Sequence, residues 1–407
     1  MVSQLAIAAV IGGGFGVVLF LMLLGPSARF KGTIIARAHH MLTTTIPSAL
    51  LRLVVLVAGQ RTVDRINSVL QWAGYERNPL VQLFYLFLVT GCGGLFLWSG
   101  WSKIEPAGLS ILHKPSVLTS LALAYLSFFA ASASDPGRIT RTSRQLWTHD
   151  RILYFKSECR TCRFEKQARS KHCSLCGFCI ARHDHHCIWI NNCVGHANQP
   201  YFAAFLASVA WVSGYVCWLS ASIVQLLLVK HGWVEVQSGS SWLHAQWFQY
   251  AYASNGQLTK FPIPFTSGLG NALVLEPALG SLALFLAFVA PLVALFLAHH
   301  LYSNVVRGVT TNESHKLEDV KYAIDDGDAW LAVDPQSGRT MLTDDERARP
   351  VAGAVPAPMP PFAYNFGLWR NAQEVLWPAD LNVISPPASV AAAASTTTKK
   401  SSAKKRK

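Results

Sequence analysis

Five stretches of this chain are apolar, contain no Asp, Glu, Lys or Arg, and run for 18 to 29 residues each. They are residues 5–24, 80–98, 117–134, 201–229 and 277–298. About 20 such residues form a helix that crosses the roughly 30 Å hydrocarbon core of a bilayer. Because charged side chains are costly there, their absence favours membrane helices. A shorter run, Ile46–Ala58, is interrupted by Arg52 and is interpreted as interfacial or packed against the bundle.

Positive charges predict on which side of the membrane each connecting loop lies. Residues 25–79 hold seven Lys or Arg and residues 135–200 hold eleven, whereas 99–116 hold two and 231–276 hold only Lys260. The positive-inside rule therefore places the two basic loops and the C-terminal tail in the cytosol. Five crossings with the N-terminus outside satisfy this arrangement. No basic residue precedes the first run, which favours an uncleaved helix over a signal peptide.

Composition excludes other classes of protein. Hydrophobic residues make up 51% of the 407 and charged residues 14%, whereas about a quarter of a soluble globular domain is charged. Disorder throughout the chain would need low hydrophobicity. The net charge of +13 is not that of a nucleic-acid-binding domain, because the basic residues lie between the apolar runs and six of them fall within 399–407. In the outer loop, Trp233, Trp242 and Trp247 predict contact with the membrane interface.

Seven of the nine cysteines lie between Cys159 and Cys193. The spacing is Cys-x2-Cys, ten residues, Cys-x2-Cys-x2-Cys, seven residues, Cys187, five residues and Cys193. A Cys-x2-Cys turn places two sulfurs about 2.3 Å from one zinc ion, and disulfides are rare in the cytosol. Five histidines of the same segment complete the supply of donors for two tetrahedral sites: His172, His183, His185, His186 and His196. Spacing does not decide which donors pair or which thiol is left free.

The tetrad Asp184-His185-His186-Cys187 is a candidate for catalysis. A carboxylate beside an imidazole orients and charges it, and a neighbouring imidazolium lowers the pKa of a thiol. This combination is typical of an activated nucleophile. On spacing alone an alternative stays open, in which Cys187 and both tetrad histidines are ordinary zinc ligands.

Residues 172–195, HCSLCGFCIARHDHHCIWINNCVG, closely resemble the cysteine-rich domain of the DHHC protein S-acyltransferases (palmitoyltransferases). Three flanking motifs add to the resemblance. They are Asp135-Pro136-Gly137 (the family's DPG motif), Thr310-Thr311-Asn312-Glu313 (its TTxE motif) and residues 364–376 (its aromatic-and-Asn motif, with Asn371 as the Asn). In this order the motifs span most of the chain.

The resemblance implies a polytopic α-helical membrane protein with about five transmembrane helices and a cytosolic cysteine-rich domain carrying two Cys3His zinc sites. One site would comprise Cys159, Cys162, His172 and Cys179, and the other Cys173, Cys176, His186 and Cys193. Both zinc ions would be structural. Cys187 is then the free thiol, while His183 would lie beside the metal or at the surface.

The resemblance further implies a two-step transfer of an acyl group. Cys187 would attack the thioester of an acyl-CoA, usually palmitoyl-CoA, with His185 as general base and Asp184 orienting it. A cysteine of a membrane protein substrate would then take the acyl group. Candidates for binding CoA phosphates and anionic headgroups are Arg160, Arg163, Lys166, Arg169, Lys171 and Arg182. Thr310, Thr311 and Asn371 would dock the tail onto the catalytic domain.

One departure from the commonest family pattern, at Ile188, points to a branch together with the number of crossings. Ile188 stands where many members have Pro, and Trp189 matches a tryptophan that lies near the lipid in the family. With five inferred crossings, the chain resembles the fungal, SNARE-directed branch linked to spore-wall formation. SNAREs with juxtamembrane cysteines are therefore possible partners, together with the bilayer, and no nucleic acid is expected. The branch and the ending Lys404-Lys405-Arg406-Lys407, which has the form of a dilysine retrieval signal, predict the endoplasmic reticulum.

The expected organisation has five parts. They are a three-helix membrane region (1–134), the catalytic domain (135–200), two further membrane helices with an outer loop (201–300), a tail with the TTxE and aromatic motifs (301–385) and a disordered basic end (386–407). A membrane-anchored zinc-finger adaptor without chemistry is the main alternative, and the unliganded Cys187 beside His185 argues against it. A transporter is disfavoured because the apolar runs hold no charge.

Overall fold

The fold, given by a computed structural model, is described for residue 21 and for residues 32–235, 246–252, 257–333, 340–344 and 362–381. Apart from Leu21, the first predicted membrane helix (5–24) lies outside these residues, as does the predicted disordered end (386–407). The chain divides into two compact units, Met1–Asn78 and Pro79–Lys407.

The described part of the first unit is helical. It contains α1 (Ile34–His40), a π-helical turn (Met41–Thr45), α2 (Ile46–Ala58) and α3 (Gln60–Tyr75). Gly59 separates α2 from α3 with φ +78°, a conformation that glycine adopts without steric cost. Helix α2 coincides with the short apolar run and, at about 20 Å, does not cross a bilayer. Its interfacial position stays a prediction.

Long helices dominate the second unit. Its first five helices are α4 (Leu80–Ser99), α5 (His113–Ala133), α6 (Gln199–Lys230), α7 (Phe265–Leu275) and α8 (Pro277–Leu301). Within the described residues four helices are long and apolar enough to cross a membrane: α4 with its extension to Lys103, α5, α6, and α8 with its extension to Val306. These four match four of the five predicted runs, and the count of five crossings stays a prediction.

Helix α6 packs against both α5 and α8 and holds the bundle together. Pro200 lies in its first turn, where the missing N–H costs nothing. Between α5 and α6 the Oγ atoms of Ser127 and Ser208 are 2.7 Å apart, an interhelical hydrogen bond of the kind that supports packing in lipid. At its 32 residues α6 is about 48 Å long and exceeds the hydrocarbon core, so its first turn reaches the cysteine-rich domain.

The cysteine-rich domain is built on two short antiparallel hairpins. One pairs β1 (Lys171–Cys173) with β2 (Phe178–Ile180), and the other pairs β3 (His185–Cys187) with β4 (Asn192–Val194). The Asp135-Pro136-Gly137 motif leads into the first hairpin, because Asp135 Oδ1 accepts hydrogen bonds from the N–H groups of Gly137 (2.9 Å) and Arg138 (2.8 Å). Such a side-chain turn reverses the chain directly after α5.

The predicted outer loop folds into a three-stranded sheet, β5 (Val234–Glu235), β6 (Gln246–Tyr252) and β7 (Leu258–Ile263), next to α7. Here the interfacial prediction for Trp247 is wrong, because this side chain is 5% exposed and packs over Gly268 of α7. The sheet provides a protein surface that buries the indole more completely than an interface would. Trp242 lies outside the described residues.

The described tail contains α9 (Thr311–Asp325), a hairpin of β8 (Trp330–Val333) and β9 (Thr340–Thr343), and α10 (Leu368–Leu376). Helix α9 begins with a capping box, in which Thr310 Oγ1 accepts from Glu313 N–H and Glu313 accepts from Thr310 N–H. The sequence Thr-x-x-Glu is the pattern of this cap. The TTxE motif therefore fixes where α9, the first helix of the tail, begins.

Candidate active site and metal clusters

The first Cys3His group consists of Cys159, Cys162, His172 and Cys179, whose donor atoms all lie within 4.8 Å of one another. The Nδ1 atom of His172 is the common point, at 3.6 Å from Cys159 Sγ, 3.3 Å from Cys162 Sγ and 3.8 Å from Cys179 Sγ. His172 and Cys179 are opposite each other in the β1–β2 register. This closed set of three thiols and one imidazole fits a structural zinc ion.

The second group consists of Cys173, Cys176, His186 and Cys193. Here His186 Nδ1 lies 3.7 Å from Cys173 Sγ, 3.4 Å from Cys176 Sγ and 3.4 Å from Cys193 Sγ. His186 and Cys193 are cross-strand partners in the β3–β4 hairpin. The donor set again fits zinc, and the structure brings together in two groups the eight residues that the resemblance implies as ligands.

The two groups are interleaved through strand β1. His172 belongs to the first group and Cys173, the next residue, belongs to the second. Successive side chains of a strand point to opposite faces, so one short strand supplies both groups. The second group takes donors from both hairpins and so holds them relative to each other, while β1 connects this group to the first.

The same alternation explains how the tetrad is arranged on β3. His186 points to the second metal group, so His185 and Cys187, on either side of it, share the opposite face. Cys187 therefore lies beside His185 and is one of the groups that raise the pKa of the His185 ring. Because these residues form a strand, His185 and Cys187 are neighbours on one face. In a helix the same two residues would point in nearly opposite directions.

Asp184 completes this pair from inside the protein. Its side chain is fully buried and its Oδ2 accepts a hydrogen bond from His185 Nδ1 at 2.9 Å. The second oxygen, Oδ1, accepts from the backbone N–H of Thr311 in the TTxE motif. Burial opposes ionisation of Asp184, yet the hydrogen bond and positive charge of His185 outweigh it and hold the pKa of the carboxyl well below its usual range.

His185 is correspondingly held in its charged form. Burial lowers its pKa, but the hydrogen bonds to Asp184 and to Cys187 outweigh this effect and raise the pKa to about 10. An imidazolium next to a thiol stabilises the thiolate. The charged His185 ring thus lies between the Asp184 carboxylate and Cys187.

The β3–β4 hairpin is anchored to the end of a membrane helix by Asn192, which lies opposite Cys187 in the register. Its Nδ2 group donates to the carbonyl oxygens of Ala131 (3.2 Å), Ser132 (3.2 Å) and Ser134 (2.8 Å) at the end of α5. These carbonyls have no partner within the helix. Sequence reasoning missed this residue, although it lies within the quoted motif.

Cys187 lies on the wall of an apolar cavity of about 420 Å³ between the helices. The thiol residue itself is 7% exposed. The wall is formed by α4, α5, α6 and α8, with Phe202 and Phe296 near the thiol and Gly93 and Val216 farther along the helices. Trp189, in the turn after β3, also lines the cavity and is 43% exposed. The Cys187 side chain therefore borders an apolar space between the helices.

The TTxE motif is docked onto the tetrad strand by buried interactions. Thr310 Oγ1 donates to the carbonyl of His183 at 3.2 Å. Glu313 binds Arg169 through two parallel bonds, Nε to Oε1 at 2.7 Å and Nη2 to Oε2 at 2.8 Å, and both side chains are fully buried. Burial raises and Arg169 lowers the pKa of Glu313, with Arg169 and the hydrogen bonds prevailing.

Two of the six basic residues predicted to contact CoA or lipid are therefore excluded. Arg169 is fully buried against Glu313, and Arg182 is fully buried with its guanidinium bonded to Gln199 and to the carbonyl of Asn304 (3.3 Å). Both guanidinium groups make buried contacts that hold parts of the fold together. The sequence does not distinguish these two arginines from the exposed basic residues around them. Arg160, Arg163 and Lys171 are exposed and Lys166 is half-buried, so these four stay candidates.

Glu313→Gln is expected to destabilise the protein by about 3–5 kcal/mol, because it leaves Arg169 buried without its charge partner. The measurement is the thermal unfolding midpoint of the solubilised protein. Glu318→Gln, on the exposed side of the same helix, is the matched control and should unfold like the native protein. Equal unfolding midpoints for the two variants would contradict the role assigned to the pair.

The remaining histidines do not join the two groups. His183 is 5% exposed, so it is not at the surface, and its Nε2 lies 3.7 Å from Cys193 Sγ beside the second group. His196 is buried, and its ring bonds the carbonyl of Ala379 through Nε2 at 2.9 Å. Asn371 is also fully buried and donates to the carbonyl of Val305 at 3.0 Å, which joins the aromatic motif to the end of the last membrane helix.

Comparison with known proteins agrees with this geometry. The DHHC palmitoyltransferase family matches residues 152–318. Palmitoyltransferase swf1 of Schizosaccharomyces pombe is 32% identical over 335 residues, covering 81% of this chain and 84% of that protein. Palmitoyltransferase ZDHHC4 of Rattus norvegicus is 30% identical over 323 residues, covering 77% and 82%. Palmitoyltransferase SWF1 of Yarrowia lipolytica is 31% identical over 235 residues, covering 55% of each chain.

The relatives are named as palmitoyltransferases, which supports the enzyme and gives the adaptor alternative no support. A family match on the cysteine-rich segment, a relative of this identity along four fifths of the chain and four apolar helices agree with one another. This chain is therefore a membrane protein of the DHHC palmitoyltransferase family, a protein S-palmitoyltransferase.

Proposed function

We propose that the acyl group passes from a long-chain acyl-CoA to a cysteine of a membrane protein through a thioester on Cys187. One observation carries the proposal. Of the seven cysteines between 159 and 193, Cys187 is the one outside both Cys3His groups, and it lies between His185 and the apolar cavity. A structural cysteine would need neither neighbour.

The first step is an exchange of thioesters. The Cys187 sulfur, as thiolate, forms a bond to the acyl carbon, and the bond from that carbon to the CoA sulfur breaks. His185 holds the proton of Cys187 and donates it to the departing CoA sulfur, while Asp184 fixes the ring through its 2.9 Å hydrogen bond. In the second step the substrate thiol attacks the new thioester, and its proton goes to Cys187 through His185. Positioned proton transfer of this kind contributes roughly 10²–10⁴-fold to a rate.

Zinc would have a structural part in this scheme. The two Cys3His groups would hold one ion each and, because each set supplies four donors, no position is left for a substrate. Bound zinc would fix the hairpins on which His185 and Cys187 lie. The proton and the acyl group are handled by the protein's own side chains.

The cavity accounts for a membrane location of the chemistry. Each methylene of an acyl chain gains about 0.8 kcal/mol when it leaves water, so the chain stays in apolar surroundings. The volume of about 420 Å³ falls within the roughly 300–1,000 Å³ of small-molecule sites. We propose that the acyl chain lies between α4, α6 and α8 with its thioester at Cys187.

Gly93→Phe is expected to shift the preference from palmitoyl-CoA to shorter acyl-CoAs. Gly93 lines the cavity eight residues beyond Tyr85, about 12 Å farther along α4. A Cβ there meets the flexible end of Leu121 at 3.2 Å, so a phenyl ring can enter the cavity. Excluding two methylenes removes about 1.6 kcal/mol, or about tenfold in the ratio of the two acyl-CoAs. Competition between labelled acyl-CoAs for autoacylation measures this ratio.

Gly94→Phe is the matched control for this substitution. Gly94 is exposed on the neighbouring position of α4, and a Cβ there meets no atom within 4 Å. We expect the control to keep the native preference. An unchanged ratio in Gly93→Phe would show that the acyl chain does not reach this part of the cavity.

The decisive test of the transfer uses the purified chain in lipid nanodiscs with labelled palmitoyl-CoA. Two acceptor peptides share one sequence with a juxtamembrane cysteine, and one of them carries a transmembrane anchor. We expect label on the enzyme and then on the anchored peptide, with little on the soluble one. Absence of label on the enzyme would contradict the acyl-enzyme, and equal labelling of both peptides would contradict a membrane-anchored substrate class.

SNAREs with juxtamembrane cysteines are the substrates that the resemblance to the SNARE-directed branch supports. The endoplasmic reticulum is the proposed location, supported by the resemblance to that branch. The distribution of Lys and Arg supports a cytosolic catalytic domain and a lumenal N-terminus. Comparing the S-acylated proteins of cells that carry the native chain with those of cells that carry its Cys187→Ser variant would identify the substrates.

A further inference from the structure

Helix α10 presents an apolar face that no described part of the chain covers. Asn371 and Val375 point inward and are fully buried, whereas Leu368 is 62%, Trp369 71% and Leu376 42% exposed. At 100° per residue, Leu368, Trp369 and Leu376 lie on one stripe. Trp377 follows directly and is 70% exposed. A helix that packs against a domain in water normally exposes polar side chains. The exposed face of α10 is instead apolar.

The stripe lies beside the end of the last membrane span. Asn371 Nδ2 donates to the carbonyl of Val305, and Val305 belongs to the span Pro277–Val306. Gly308, with φ +66°, allows this approach, because a Cβ there would lie 2.9 Å from Asn371 Nδ2. On the same turn of the span Tyr302 is 54% and Val306 49% exposed. Exposed apolar side chains are therefore found on both the end of the span and the helix that contacts it.

The composition of the stripe and the charge that follows it fit a bilayer surface. Trp is enriched at the membrane–water interface, where its ring is partly buried and its N–H stays wet. Residues 382–407 follow the described part of the tail and carry six Lys or Arg within 399–407. Such charges are attracted to an anionic membrane surface. A helix at the membrane interface is held by burial of its apolar face and by attraction of basic residues to anionic lipids.

We infer that the face of α10 formed by Leu368, Trp369, Leu376 and Trp377 lies in the headgroup region of the bilayer, in the leaflet on the side of the cysteine-rich domain. Through Glu374, which accepts from Arg169 Nη1 at 3.3 Å, the same helix is bonded to the cysteine-rich domain. The contact gives that domain an attachment to the membrane in addition to the spans. It does not depend on the acyl transfer proposed above.

The test places a fluorescent amino acid, acridonylalanine, at position 369 of the full chain in nanodiscs of equimolar phosphatidylcholine and phosphatidylserine. Position 322 is the matched control, because Tyr322 is a 59% exposed aromatic residue on α9. Quenching is compared for lipids that carry a nitroxide on the headgroup or at the end of the acyl chain. We expect the headgroup nitroxide to quench position 369 several-fold more than position 322, and more than the chain-end nitroxide does.

Equal quenching at the two positions would overturn the inference. So would a blue-shifted, unquenched emission at 369, which would show that protein, a second copy included, covers the face. Zinc content and elution volume report whether each labelled chain is folded. If the label at 369 prevents folding, position 376 of the same stripe is used with the same two outcomes.

Discussion

Cys187→Ser is expected to abolish the hydroxylamine-sensitive acyl label on the purified protein while about two zinc ions per chain are retained. The serine hydroxyl is a much weaker nucleophile than a thiolate. Since Cys187 is outside both Cys3His groups, its replacement removes no metal donor. Autoacylation is followed with labelled palmitoyl-CoA, and zinc by elemental analysis.

Cys217→Ser is the matched control. This cysteine belongs to α6, and its Sγ lies 3.3 Å from the carbonyl of Ala283. The control should keep both label and zinc. Persistent label in the Cys187 variant would remove this residue as the nucleophile, whereas loss of zinc together with label would return it to the metal ligands, the alternative that spacing leaves open.

His172→Ala is expected to lower zinc content from about two to near zero, rather than to one, with a large loss of folded protein. Metal binding by such groups contributes about 10–16 kcal/mol, comparable to the 5–15 kcal/mol of a whole domain's stability. Strand β1 supplies His172 to one group and Cys173 to the other, so loss of the first group frees the strand that the second requires. Zinc content and the yield of monodisperse protein are the measurements.

His315→Ala, an exposed histidine on α9, is the control and should retain both ions. A stable His172→Ala protein with one zinc ion would show that the groups are independent. Full activity in that protein would also remove His172 from the structural set. The first of these results is visible from zinc content and protein yield alone.

The membrane helices could be predicted from the sequence because each depends on one continuous run of apolar residues. Charge-free runs predicted α4, α5, α6 and α8, and each forms within a few residues of its predicted ends. The same reasoning failed for Trp247, because the composition of the loop does not show whether lipid or a small sheet covers the indole. What covers a side chain is decided by residues distant in sequence.

The buried charges show this limit most clearly. Arg169 lies among many positive residues and reads as a surface charge, yet its partner Glu313 is 144 positions away. Asn192 likewise is bonded to Ser134, 58 positions away. No periodicity or spacing encodes such pairs, because they arise when the cysteine-rich domain, the end of α5 and the tail are brought together. Metal binding was predicted from the spacing of the cysteines, but which donors share a site was implied only by the resemblance.

The alternation of side chains on β3 has a consequence for how this site can change. The metal donor His186 and the sulfur of Cys187 differ only by which face of one strand they occupy. Inserting a single residue between them would turn Cys187 onto the face that His186 occupies. A thiol turned in this way would add a donor to the metal cluster and leave the cavity without its reactive group. The length of this short segment is thus as decisive for catalysis as the identity of its residues.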